Sequence, residues 1–149
     1  MKLLLSVLIA ALLLLGQLAP DAGAAAPEKH YQDTKELQLQ DMLVLYLLPD
    51  MQRQLAGVYA DKLTALPDIY PYFVDIDHIE HVNGFRGFVF VLTLHVYPTV
   101  GPHISVGEDL MTYQISAGPT AKLAKLVHLK DPDPSAFPPN YKDLLRHRQ

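Results

Sequence analysis

The spacing of apolar residues changes near Pro71, and this change constrains the fold more than any other feature. Before it, apolar residues recur every three or four positions over residues 44–59, which predicts a helix with one buried stripe. After it, apolar and polar residues alternate, which predicts strands. Because short turns and no helical pattern separate these strands, the sequence predicts an α+β fold: a helical layer packed on an antiparallel sheet of about four strands, in a single domain.

Two residues define the ends of the helical prediction. Asp33 followed by Glu36 fits a capping box, which predicts that the helix begins there. Pro49 removes a backbone donor in the middle of the periodic segment, which predicts either a kink or a break into a helix pair. Pro67 and Pro71 are expected to end the helical region.

The predicted strands cover residues 72–82, 88–97, 110–116 and 122–130. Asn83 and Gly84 form a strong hairpin signal between the first two. Both faces of the segment 88–97 are rich in apolar residues, which is typical of a central strand.

The N-terminus has the order of a secretory signal peptide. Lys2 precedes an apolar run over residues 3–18, and small residues follow up to Ala26. The run is too short for a typical membrane span, and Ala22, Gly23 and Ala24 fit a cleavage site, so we expect export and cleavage after Ala24. An uncleaved N-terminal anchor is the alternative.

The predicted organisation is a signal peptide (1–24), a polar lead-in (25–32), an α+β domain (33–130) and a Pro-rich C-terminal tail (131–149). Within the tail, residues 131–139 are expected to be extended, and residues 141–148 to form either a last loose helical turn or a disordered end. The chain contains no cysteine, which excludes disulfides and thiolate metal sites. Its net charge is −4 and it contains no cluster of basic residues, so a nucleic-acid partner is not expected.

Residues 98–109 form a connection that is longer than a usual hairpin loop and rich in glycine and proline. His103 follows Gly101 and Pro102, and Asp109 lies six positions later, where a returning strand could bring it beside the imidazole. His103 is then either a general base or ligand-binding group, or a structural residue that holds the turn. The candidate binding residues are Gly101, Pro102, His103, Gly107, Asp109 and Thr112.

A second polar cluster lies on the first two predicted strands. Carboxylate and imidazole groups can bind a divalent ion without cysteine, but no tight ligand spacing is present, and a solvated strand face is the simpler interpretation. No metal or other cofactor is therefore assigned. The aromatic residues between positions 70 and 113 line either a small-molecule or carbohydrate cleft or, more simply, the core. The residues of the polar cluster are Asp75, Asp77, His78, Glu80, His81 and His95.

Several segments together resemble a known bacterial family, domain of unknown function 3888. They are a Leu-Leu-Pro at residues 47–49, the aromatic-rich strand, the Gly-Pro-His at residues 101–103 and a Gly-x-Asp-x-x-Thr-aromatic continuation over residues 107–113. The resemblance covers residues 37–129 and implies a small exported protein without an assigned activity. The chain departs from the family pattern at residues 104–106, where Ile-Ser-Val replaces an Asn-Pro-Pro stretch.

The functional prediction is an exported, non-enzymatic module that binds an unknown ligand or an envelope protein through residues 101–109. The alternative is a small hydrolase-like enzyme that depends on His103 and Asp109, or on a metal. A third possibility is a structural oligomer that pairs through an exposed sheet edge.

Overall fold

The computed structural model describes residues 33–119 and 121–146. The predicted signal peptide and polar lead-in lie outside the described residues and stay predictions. In the described ranges, one α-helix, α1 (Lys35–Tyr59), precedes six strands. The strands are β1 (Val74–His81), β2 (Phe90–Val96), β3 (Thr99–Val100), β4 (Ile104–Ser105), β5 (Glu108–Ile115) and β6 (Lys122–Lys130).

Helix α1 runs without interruption through Pro49, so the predicted break into a helix pair is wrong. Pro49 leaves the Leu45 carbonyl without its usual intrahelical donor, but both residues are exposed, so water can take that donor's place. The predicted cap is also one residue off. Thr34, not Asp33, is the N-cap, and its hydroxyl accepts from the Leu37 N–H at 3.2 Å.

The main sheet has four strands in the order β1-β2-β5-β6, and every neighbouring pair is antiparallel. This confirms the α+β architecture and the central position of β2. Register shifts mark irregularities in the two outer ladders, between Ile76 and His78 in β1 and at two points between β5 and β6. Such irregularities are common at sheet edges, where they bend a strand away from continued pairing.

The core lies between α1 and one face of this sheet. Every fourth or third residue along α1 from Val44 to Tyr59 is buried, as the periodicity predicts. On the sheet, alternate residues of β2 and β5 face the helix because side chains alternate along a strand. The largest fully buried side chains are Tyr59, Tyr113, Leu47, Met51, Leu55, Leu92, Leu94 and Met111.

The first strand begins two residues later than predicted, because Pro71–Phe73 form a 3-10 turn before β1. The connection between β2 and β5 is not an open loop, since β3 and β4 pair within it as a small hairpin.

Residues 131–139 are not the extended segment that their prolines predict, whereas a helical turn is one of the two alternatives for the residues that follow. Pro134–Ala136 and Pro139–Leu144 are short 3-10 helices, and Phe137 between them is buried in the core. The C-terminal segment returns to the end of α1, where the Arg146 N–H donates to the Lys62 carbonyl at 2.8 Å. Within the described ranges, no helix has both the length and the apolar character needed to cross a membrane.

Candidate functional site

The turn between β3 and β4 presents the sequence-predicted Gly-Pro-His at the surface. Gly101 and His103 both have positive φ, of 55° and 63°, and the His103 N–H donates to the Gly101 carbonyl at 2.9 Å. Glycine adopts such a conformation freely, whereas histidine does so at a cost of about 1 kcal/mol or more. A Cβ on Gly101 would also lie 3.1 Å from the ring of Tyr141. The local backbone therefore requires Gly101 and strains His103.

The imidazole of His103 lies among three aromatic rings from the segment before β1. Its centroid is 4.8 Å from that of Tyr70, 5.8 Å from that of Phe73 and 6.1 Å from that of Tyr72, each with edge-to-face geometry. His103 Nε2 lies 3.4 Å from the Tyr72 hydroxyl. We call Tyr70, Tyr72, Phe73 and His103 the tip cluster.

The tip cluster is both exposed and firmly held. Tyr72 is 60 % exposed and His103 is also exposed. Beneath them, Thr99 exchanges two backbone hydrogen bonds with Asp68, of 2.7 and 2.9 Å, and the Val106 N–H donates to the Pro98 carbonyl. Because the base of the hairpin is fixed in this way, the exposed rings project from a rigid support.

Asp109, the second predicted site residue, is fully buried at the start of β5. Its Oδ2 accepts from the Tyr59 hydroxyl at 2.7 Å, and its Oδ1 lies 2.8 Å from His128 Nδ1. Within residues 33–119 and 121–146, no hydrogen bond joins Asp109 to His103, so the pairing suggested by the sequence does not form. A different histidine, from β6, takes that place.

His128 links two carboxylates. Its Nδ1 faces Asp109 and its Nε2 lies 3.0 Å from Asp131 Oδ1, just after β6. Burial by itself lowers the pKa of His128, but the hydrogen bonds to Asp109 and Asp131 outweigh it and raise the pKa above its ordinary value of 6.5. The geometry suits an imidazolium that donates from both nitrogens, because a neutral ring would turn one lone pair towards a carboxylate.

The remaining site predictions divide between interior and surface. Gly107 is buried against Tyr59, and a Cβ there would collide with the Tyr59 hydroxyl and the Lys130 carbonyl. Thr112 lies on the sheet face turned away from α1, where its hydroxyl is 3.2 Å from that of Thr93. Of the six predicted binding residues, only Gly101, Pro102 and His103 are exposed.

Among the described residues, members of the predicted polar cluster meet at His78 and Glu80, whose Nε2 and Oε2 lie 3.4 Å apart, and around His95. Its Nδ1 is 3.9 Å from Asp77 Oδ2 and its Nε2 is 3.7 Å from Glu108 Oε2. Tyr97 stacks on it at 4.5 Å, and its hydroxyl lies 3.2 Å from Nδ1. Among the described residues, no group of three or more histidine and carboxylate side chains is arranged to hold a metal ion.

A pocket of about 420 Å³ opens beside Asp131, away from the tip cluster. Lys62, which lines the pocket, forms a hydrogen bond and an ion pair within the chain: its Nζ donates to the Val58 carbonyl at 2.9 Å and lies 3.7 Å from Asp131 Oδ1. Arg146 likewise donates from Nε to the Leu63 carbonyl at 2.7 Å. These cations therefore fasten the C-terminal segment to the end of α1.

A family model described as "Protein of unknown function (DUF3888)" matches residues 39–130, which is more than half of the chain. The chain belongs to the DUF3888 family. No curated protein and no solved structure matches it. The DUF3888 region contains the whole sheet, the tip cluster and both Asp109 and His128, and it ends one residue before Asp131.

Sequence reasoning missed Tyr59 and His128 as partners of Asp109. Tyr59 reads as one more member of the buried helical stripe, and His128 as a polar position in an edge strand. The register of β5 and β6 pairs Asp109 with His128, and this pairing brings the imidazole to the carboxylate.

Proposed function

We propose that this DUF3888 chain is an exported, non-enzymatic binding module whose contact surface is the tip cluster. The single observation that carries the proposal is an exposed histidine held at positive φ against exposed Tyr72 and half-buried Tyr70 and Phe73. Backbone strain of this kind persists only where the surrounding structure maintains it, and it is concentrated at functional sites. The strained residue here is exposed and lies outside the hydrophobic core.

The chemistry of the tip cluster favours a ligand with both a flat apolar face and hydroxyl groups, as a sugar ring has. Tyrosine rings provide rigid contact area together with a polar end. The Tyr72 hydroxyl and His103 Nε2 lie 3.4 Å apart and hydrogen-bond to each other, which leaves the exposed hydroxyl with further capacity to hydrogen-bond to a ligand hydroxyl. A ligand in the cell envelope that combines these features is a polysaccharide of the wall.

Export rests on the apolar leader and on the absence of cysteine, which lets the domain fold in an oxidising compartment without forming disulfides. N-terminal sequencing of the protein released by the producing cell tests this part. The expected first residue is Ala25. An intact precursor that stays in the cytoplasm would contradict export.

The enzymatic alternative has less support. The Asp109 carboxylate, which the sequence offered as the partner of His103, is fully occupied by Tyr59 and His128. His128 in turn faces carboxylates at both nitrogens, so it has no free lone pair with which to act as a general base.

The binding proposal is tested by co-sedimentation with isolated bacterial cell wall. His103→Ala and Tyr72→Ala should each weaken binding at least about tenfold, because both remove a central contact. His78→Ala and Phe85→Ala are matched controls, since they alter an exposed histidine and an exposed aromatic residue away from the tip cluster. Wild-type binding by both tip variants, with unchanged circular dichroism, would overturn the proposal.

A further inference from the structure

Helix α1 carries a second apolar stripe on the side that faces away from the sheet. Leu39, Met42 and Tyr46 are each more than half exposed. At 100° per residue they lie about 180° around the helix from the buried stripe. The outer stripe, as we call it, consists of Lys35, Leu39, Met42, Tyr46, Pro49 and Arg53.

The outer stripe has the spacing of a helix–helix contact. Its members follow one another in alternating steps of four and three residues, which is the pattern of positions a and d in a coiled coil. A single exposed leucine would need no explanation, but several large apolar side chains in this register form a patch of the kind that marks an interaction site.

One contact orders the patch before any partner arrives. The Tyr46 hydroxyl donates to the Pro119 carbonyl, in the turn between β5 and β6, at 3.2 Å. The ring is thereby held in one orientation although it is more than half exposed. Preordered aromatic residues make strong interface anchors because little side-chain entropy is lost on binding.

We infer that the outer stripe binds the outer stripe of a second copy of this chain, with the two α1 helices antiparallel. The two outer stripes are complementary when a two-fold axis passes between the helices at the level of residue 44 along the helix. Across that axis, Met42 of one copy meets Tyr46 of the other, and Leu39 meets Pro49, so each apolar residue finds an apolar partner.

Charged residues lie at both ends of the stripe. In this register Lys35 of one copy is level with Arg53 of the other, and Glu36 and Asp50 lie beside these two cations, so that each end holds two cations and two anions. Glu36 is within about one helical rise, 1.5 Å along the axis, of the level of the opposite Arg53. Antiparallel helices also place the positive end of one helix dipole beside the negative end of the other.

The dimer is tested on the full chain by light scattering after size exclusion, from low to high micromolar concentration. The wild type should reach twice the chain mass. Met42→Glu should be monomeric over the whole range, because it places a carboxylate at the centre of the contact. Phe85→Glu is the matched control, since Phe85 is the most exposed aromatic residue and lies on the β1–β2 turn, and it should stay dimeric.

The orientation is tested by cross-linking, which the absence of native cysteine makes specific. Leu45 flanks the stripe next to the two-fold axis, so Leu45→Cys should cross-link with a short bis-maleimide reagent. Leu39→Cys should not, because antiparallel packing separates the two copies of this residue by about 15 Å along the axis. A wild type that stays monomeric overturns the dimer. This holds whether the chain's own N-terminus, a lipid surface or nothing covers the outer stripe. Cross-linking at Leu39→Cys overturns the antiparallel arrangement.

Discussion

The hydroxyl of Tyr59, at the last turn of α1, donates a 2.7 Å hydrogen bond to the buried carboxylate of Asp109, at the start of β5. This contact joins the helix to the sheet at the point where the chain returns to the core after the β3–β4 hairpin. Burial and the bond to Asp109 raise the pKa of Tyr59 well above its usual range, so its hydroxyl stays protonated and donates. Asp109 therefore links α1 and β6 through its contacts with Tyr59 and His128.

Tyr59→Phe should destabilise the domain by about 1–3 kcal/mol, because it leaves a fully buried carboxylate with one donor fewer. Urea unfolding followed by circular dichroism measures the loss. Tyr113→Phe is the matched control, since Tyr113 donates to Asp50 at 3.0 Å and Asp50 is partly exposed and also paired with Arg53. That variant should lose less, about 1 kcal/mol. Equal losses of unfolding free energy in the two variants would contradict the larger contribution of the Tyr59–Asp109 hydrogen bond.

The stability supplied by His128 should depend on pH. Its folded-state pKa is raised above 6.5, so the contribution is complete below that value and is lost as pH rises through the folded pKa. The difference in unfolding free energy between wild type and His128→Gln should therefore be largest in mildly acidic buffer and smaller in alkaline buffer. His78→Gln, an exposed histidine of β1, should show a small difference throughout. A wild-type advantage that grows towards alkaline pH would contradict this assignment.

Gly107→Ala should destabilise the domain by about 1–3 kcal/mol or more, because the new methyl group must displace the Tyr59 hydroxyl and a backbone carbonyl. A shift of the thermal unfolding midpoint reports the loss. At Gly118, a Cβ would meet nothing within 4 Å, so Gly118→Ala should be nearly neutral. Near-neutral behaviour of both variants would show that residue 107 is not tightly packed.

Pro49→Ala should stabilise the domain by about 2 kcal/mol. A helix-interior proline costs about 3 kcal/mol, and the greater freedom of alanine in the unfolded chain cancels part of the gain. Gly57→Ala in the same helix meets no steric obstacle and should gain about 0.5–1 kcal/mol. Urea unfolding at two protein concentrations separates this effect from dimerisation, because Pro49 also belongs to the outer stripe. A loss of stability on replacing Pro49 would contradict the prediction.

The sequence by itself determined the architecture. Periodicity is a local property, so the change from three- and four-residue steps to alternation identified α1, the four long strands and the central position of β2 without any contact information. It left a kink or a break open at Pro49, and the break does not occur, because the packing of Val44, Leu47 and Met51 on the sheet outweighs one missing hydrogen bond. It failed in the C-terminal segment, where burial of Phe137 folds back a chain that its prolines alone would leave extended.

Only the tertiary structure decided what the candidate site residues do. His103 and Asp109 are six positions apart, yet the first lies at a surface tip and the second in the core, because the strained turn at Gly101 and the return of β5 separate them. The partners of Asp109 come from α1 and β6, at distances along the chain that no spacing rule connects. Which strand lies beside which, and in what register, depends on contacts between segments distant in sequence, and these exist only once the chain has folded.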